Sequence, residues 1–294
     1  MSRQCRWLVV LVSMVVGSGV ASAQTYRSFD VPFAGAKDTE AFGVNNVGQI
    51  VGRYMKGHKV HGFLREPNGA FSEIFFPQST FTAPRDVNNH GDVVGRYLDA
   101  AGVSHGFLLS KGVYQSFDYP GAANTLPRGI SDSGVITGNF RLAGVEHGFI
   151  LDATGYHQID FPGSSGTDVW DFDSRRNEAV GDWSDADGNV HGYTLVATTF
   201  TPFDVSIAGA WATSLRSVNR FGVIVGVYAV DSVNDHSVLV TAGGQEVLLD
   251  FPGAPSTDAM AINDNGLVVG NYLDSHGGAH SFILRQDSDT LLRQ

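Results

Sequence analysis

Six histidines are the first residues in this sequence whose type suggests chemistry: His61, His105, His147, His191, His236 and His280. Imidazole is the commonest metal ligand and a frequent acid–base group. Yet each of these histidines lies about 44 residues from the next. A catalytic or metal site requires different groups converging on one point, whereas sixfold recurrence serves something that every repeat needs. The histidines are therefore read as scaffold, each ring bonding to a turn, and no metal ligand is assigned. The same reasoning covers Thr39, Thr82, Thr125, Thr167, Thr213 and Thr257, whose hydroxyls are expected to tie a "PGA" turn to the following strand.

Other motifs carry less. "DADG" (185–188) is similar to part of a calcium loop but lacks the further carboxylates and distal glutamate of one. A hairpin turn explains it better. No GxSxG, HExxH, P-loop or CxxC is present, so no catalytic residue is identified and no cofactor is expected.

The more informative position is one where the repeats disagree. Three residues after each threonine stand Phe42, Arg85, Arg128, Trp170, Arg216 and Met260. Guanidinium forks suit carboxylate or phosphate, and a tryptophan face suits a sugar or an aromatic ring. Arg85, Arg128, Trp170 and Arg216 are thus the candidate ligand-binding residues. The competing expectation pairs each arginine with an aspartate of the "FD"-type endings: Asp30, Asp118, Asp160, Asp204 or Asp250.

These residues must be held by repeated elements. "GDVVG" (91–95) recurs as "GQIVG", "GVITG", "NEAVG", "GVIVG" and "GLVVG", and "HGFLL" recurs as "HGFLR", "HGFIL", "HGYTL", "HSVLV" and "HSFIL". The period of about 43–45 residues is that of propeller blades with four strands each. Strand a runs from the threonine to an Asn; a tight Asn/Gly turn leads to strand b, "xVVGxY". Strand c is "HGFLL" and strand d "YxSFD". The repeats span approximately 30–74, 75–117, 118–159, 160–203, 204–249 and 250–285. "TYRSFD" (25–30) is a strand d with nothing before it, and the last repeat lacks its own. The expected fold is all-β: a six-bladed β-propeller whose N-terminal strand completes the last blade and leaves no open edge. Strand a lies nearest the axis of such a ring, so the six variable residues are expected around a central pocket.

The "GIN…G.IVG.Y…G..HGF" pattern resembles the HAF family of extracellular repeat proteins, over essentially all of residues 25–285. Repeats 4 and 5 depart most: "DFDSRRNEAVG" lacks the turn glycine and "HSVLV" the aromatic. The resemblance implies export and repetition, and no activity or catalytic residue.

Export is also read directly. Residues 1–23 have the form of a signal peptide: Arg3 and Arg6, an apolar run from Trp7 to Val20, and "ASA" before Gln24. The run is shorter than the roughly 20 residues of a membrane span. Cleavage after Ala23 takes the net charge from −11 to −13 and removes the only cysteine, Cys5. So acidic a domain is a poor partner for nucleic acid or anionic lipid. The mature chain, 24–294, is expected to be a single monomeric domain, periplasmic or extracellular. Its expected role is a binding or interaction module for a glycan, a small anion or another exported protein. The alternatives are a hydrolase or lyase acting on a carbohydrate or anionic substrate in the axial pocket, and a purely structural surface protein.

Overall fold

The alternation of apolar and polar residues, punctuated by glycine turns, gives strands throughout. The computed structural model describes residues 24–286, and among them there is no helix. The signal-peptide reading of 1–23 lies outside the described residues.

The strands form two four-stranded and two eight-stranded sheets. The second repeat shows the pattern: Phe81–Val87, Val93–Leu98, Ser104–Ser110 and Val113–Phe117 pair antiparallel in sequence order. Each eight-stranded sheet holds two such groups, joined by one parallel bridge, Val60 to Phe81 in one and Glu146 to Gly166 in the other. The strand Thr25–Phe29 pairs antiparallel with Ala279–Arg285, joining the two ends of the described chain.

Turn chemistry explains the spacing. Gly48, Gly91, Gly134, Gly222 and Gly266 adopt positive φ between strands a and b, a region open to glycine without steric cost. In the fourth repeat Asn177 takes that place at φ 51°, as asparagine tolerates better than most residues. The second recurring glycine is needed for a different reason: a Cβ on Gly95 would run into the Ala83 carbonyl oxygen and the Phe107 ring.

The core lies between consecutive repeats. Val51 of the first repeat packs with Val87, Val93 and Phe107 of the second. Val31, Ala41, Ile50 and Phe63 of the first repeat pack with Ala261, Leu267 and Val269 of the last. Each sheet is therefore apolar on both faces, and no repeat buries its own core alone.

Candidate functional site

The variable residues reach their place through a repeated irregularity. In every strand a the register with strand b slips by one residue: between Ala41 and Gly43, Pro84 and Asp86, Pro127 and Gly129, Val169 and Asp171, Leu215 and Ser217, and Ala259 and Ala261. The six unpaired residues are Phe42, Arg85, Arg128, Trp170, Arg216 and Met260. A β-bulge bends its strand and re-aims a side chain. Here all six bulge residues line one recess of about 20 Å³, together with Asp86, Asp171 and Ser217. That is room for about one water-sized group.

Stacking positions the arginines. The Arg85 guanidinium lies 4.2 Å from the Phe42 ring centroid, and Arg128 and Arg216 lie 4.0 and 3.7 Å from that of Trp170. Trp170 is fixed in turn by donating Nε1–H to Asp182 Oδ2 at 2.7 Å. Of these three arginines, among the described residues only Arg128 has a counter-ion, giving Nε–H and Nη2–H bonds to Asp168 Oδ2 at 3.0 and 2.7 Å. Among the described residues Arg85 and Arg216 make no hydrogen bond or ion pair, and their Nε atoms are sealed from solvent without an acceptor. Burial, then the nearby Arg128, Arg96 and Arg53, push Arg85 well below the ordinary arginine range. Burial likewise lowers Arg216, against the pull of Asp182.

Sequence reasoning missed the residue following each "VVG" glycine, which contributes Arg53, Arg96 and Asp182 around the same cluster. Arg53 pairs with Glu40, whereas Arg96 stacks 4.5 Å from the Phe81 ring with its Nε unpartnered. The signal was available: this position varies among repeats as the bulge position does.

The two carboxylates of the recess are held by backbone. Asp86 Oδ2 accepts the Ile130 N–H at 2.9 Å. Asp171 accepts from Phe172 N–H, Val218 N–H and the Ser217 hydroxyl. Both are pushed up, by burial first, and Asp171 adds repulsion to Asp86. Beyond them, at the a–b turns, lies a larger polar cavity of about 100 Å³. Arg175, from the atypical fourth repeat, reaches Asp264 of the sixth at 3.0 Å and Asp132 of the third at 3.8 Å.

The recurrent residues form a different system. Each threonine hydroxyl accepts a backbone N–H from the turn before its strand: Val31, Phe76, Tyr119, Phe161, Val205 and Phe251 donate to Thr39, Thr82, Thr125, Thr167, Thr213 and Thr257. Every histidine stacks on the aromatic of strand b; the His105 and Tyr97 centroids are 5.3 Å apart. Its Nδ1 bonds Asp118 at 2.7 Å and its Nε2 bonds Asp99, in the b–c turn, at 3.3 Å. His147, His191, His236 and His280 bond Asp160, Asp204, Asp250 and Asp30 in the same way, while His61 uses Glu73. This corrects the expected arginine–aspartate pairing: the "FD" aspartates belong to the histidines. The ring's main partner is accordingly strand d, with the turn added in His105, His191 and His280. The "DADG" turn is closed by Asp185, whose Oδ1 accepts from the Asp187 and Asn189 N–H groups.

No family model and no curated protein matches the chain. Solved structures do. The putative TolB from Agrobacterium tumefaciens is 12% identical with a TM-score of 0.60, covering 85% of this chain and 91% of its own. A mutant of AofleA from Arthrobotrys oligospora is 11% identical with a TM-score of 0.55, covering 92% and 89%. The fucose-specific lectin from Aleuria aurantia is 9% identical with a TM-score of 0.53, covering 87% and 98%. These are β-propeller proteins, and at such identities the likeness shows the fold alone.

Proposed function

We propose that this chain is an exported, monomeric, six-bladed β-propeller of HAF-repeat type that serves as a binding module, with its ligand end at the axial recess. The ring reading is supported by the shared core of the first and last repeats and by Asn263 Nδ2–H bonding the Asn45 carbonyl between those repeats at 2.8 Å. Among the described residues no helix is long and apolar enough to cross a membrane.

The carrying observation is that six bulges deliver Phe42, Arg85, Arg128, Trp170, Arg216 and Met260 to one recess, where Arg85 and Arg216 have no acceptor among the described residues. Buried donors without acceptors are costly, and an anionic oxygen, which is what the recess has room for, satisfies them. The ligand is a compact anion, a carboxylate foremost. The glycan reading draws on lectin neighbours, one of them solved with a fucoside, but the recess is too small for a sugar ring. Binding is favoured over hydrolysis or lysis because the oxygens of Asp86 and Asp171 already hold strands together.

Calorimetric titration with acetate and with fucose tests this. Acetate binds the wild type, more weakly at high salt, and Arg85→Ala lowers its affinity about tenfold or more while the near-UV circular dichroism is kept. Fucose binding without acetate binding, or acetate binding untouched by Arg85→Ala, contradicts the reading.

A further inference from the structure

The recess sets charges of both signs against one small space. Arg85, Arg128 and Arg216 line it together with Asp86 and Asp171. Among the described residues neither carboxylate forms an ion pair with an arginine; their oxygens accept backbone N–H groups and the Ser217 hydroxyl instead. An oxygen entering a space of about 20 Å³ therefore meets guanidinium and carboxylate at once.

The arginines attract an anion there, and the two carboxylates, when ionised, repel it. Carboxylates that share a site favour the state in which one of them holds a proton. A further carboxylate, brought by the ligand, strengthens that preference. The surroundings do not relieve it. On the neighbouring strands Asp86 faces the Gly43 backbone and the Ile130 N–H, and Asp171 faces the Gly129 backbone, Ser217 and Val218. The next charges outward are Asp132, which adds to the repulsion on Asp86, and Asp173, which adds to that on Asp171. Arg175 lies beyond them, already held by Asp264 and Asp132. A proton has a route from that side: Asp86 and Asp171 also line the cavity of about 100 Å³, which has room for about three waters.

We propose that the recess takes up a carboxylate anion together with a proton, which Asp86 and Asp171 hold while the ligand oxygen sits on Arg85 and Arg216. This rests on the anion reading above and adds the condition under which the site fills. The proton comes from solvent and returns to it when the anion leaves, so the anion is bound more tightly at low pH. By linkage, the anion favours the proton to the same extent as the proton favours the anion.

Calorimetric titration of acetate at constant salt, between about pH 6 and about pH 9, tests this; acetate is itself ionised throughout that range, so any pH dependence belongs to the protein. Two buffers of different ionisation enthalpy count the protons taken up. Affinity should fall about tenfold or more from the acid to the alkaline end, with a net uptake of protons on binding. Asp86→Asn and Asp171→Asn should each raise affinity at the alkaline end and shrink the dependence. Near-UV circular dichroism checks that these variants fold, and the proton count in the wild type stands without them. A flat affinity with no proton uptake overturns the coupling and leaves the anion reading standing. A dependence unchanged in both folded variants assigns the proton to other groups and overturns the coupling too. No acetate binding at any pH overturns both readings together.

Discussion

At the residue scale, one histidine ring holds three elements. His105 stacks on Tyr97, reaches strand d through Asp118 and reaches the b–c turn through Asp99. Replacing it by Ala removes both hydrogen bonds, and we expect a loss of about 1–3 kcal/mol by urea unfolding. An unchanged midpoint would show that the ring is dispensable. The pH dependence follows from the same pairs. Burial opposes charge on His105, His191 and His280, but their aspartates outweigh it and raise all three. Their stabilisation is complete below the ordinary histidine value and is lost as pH rises through the raised one. Asp99, Asp185 and Asp274 are lowered, chiefly by backbone or Asn189 hydrogen bonds, so their contribution disappears as pH falls below the ordinary carboxylate range. Asp168 and Asp258, each pushed up to about 6 chiefly by burial, cost stability that accrues as pH rises from the ordinary carboxylate range to about 6. The melting temperature should therefore peak at roughly pH 4–6.5. A melting temperature that still rises between pH 7 and 8 would contradict this.

At the element scale, the bulge and the second glycine act together. Strand b can lie against the bulged strand a only because Gly95 has no Cβ to strike Ala83 and Phe107. Gly95→Ala should cost about 1–3 kcal/mol in denaturant unfolding, whereas Asn177→Gly, in a turn already at positive φ, should cost less than about 0.5 kcal/mol. Strand order, the a–b turns and the threonine bonds were legible in the sequence, because glycine, asparagine and alternating apolar residues have local causes. The bulge was not, since an unpaired residue is visible only against its partner strand. The sequence showed that Arg85 varies among repeats; the slip between Pro84 and Asp86 shows why it turns inward. The histidine–aspartate pairs were legible but unread: thirteen residues separate His105 from Asp118, His147 from Asp160 and His191 from Asp204. The reach of Arg175 to Asp132 and Asp264 is a long-range contact for which "SRRNE" carries no local signal.

At the scale of the whole molecule, recurrence and variation divide the work. Positions alike in all repeats build the scaffold; positions that differ build the recess. The strand Thr25–Phe29 belongs to the scaffold, pairing with Ala279–Arg285 and burying Tyr26 against Phe282. Removing residues 25–29 should lower the melting temperature sharply and broaden the transition, since edge and core are exposed together. A sharp, unshifted transition would separate that strand from the stability of the repeats. The division itself is tested most directly by measuring acetate affinity and melting temperature together in two variants, His105→Ala and Arg85→Ala. The account predicts that His105→Ala melts lower and binds acetate with wild-type affinity, while Arg85→Ala keeps its melting temperature or gains and loses acetate binding. Loss of binding in His105→Ala with wild-type affinity in Arg85→Ala would contradict it.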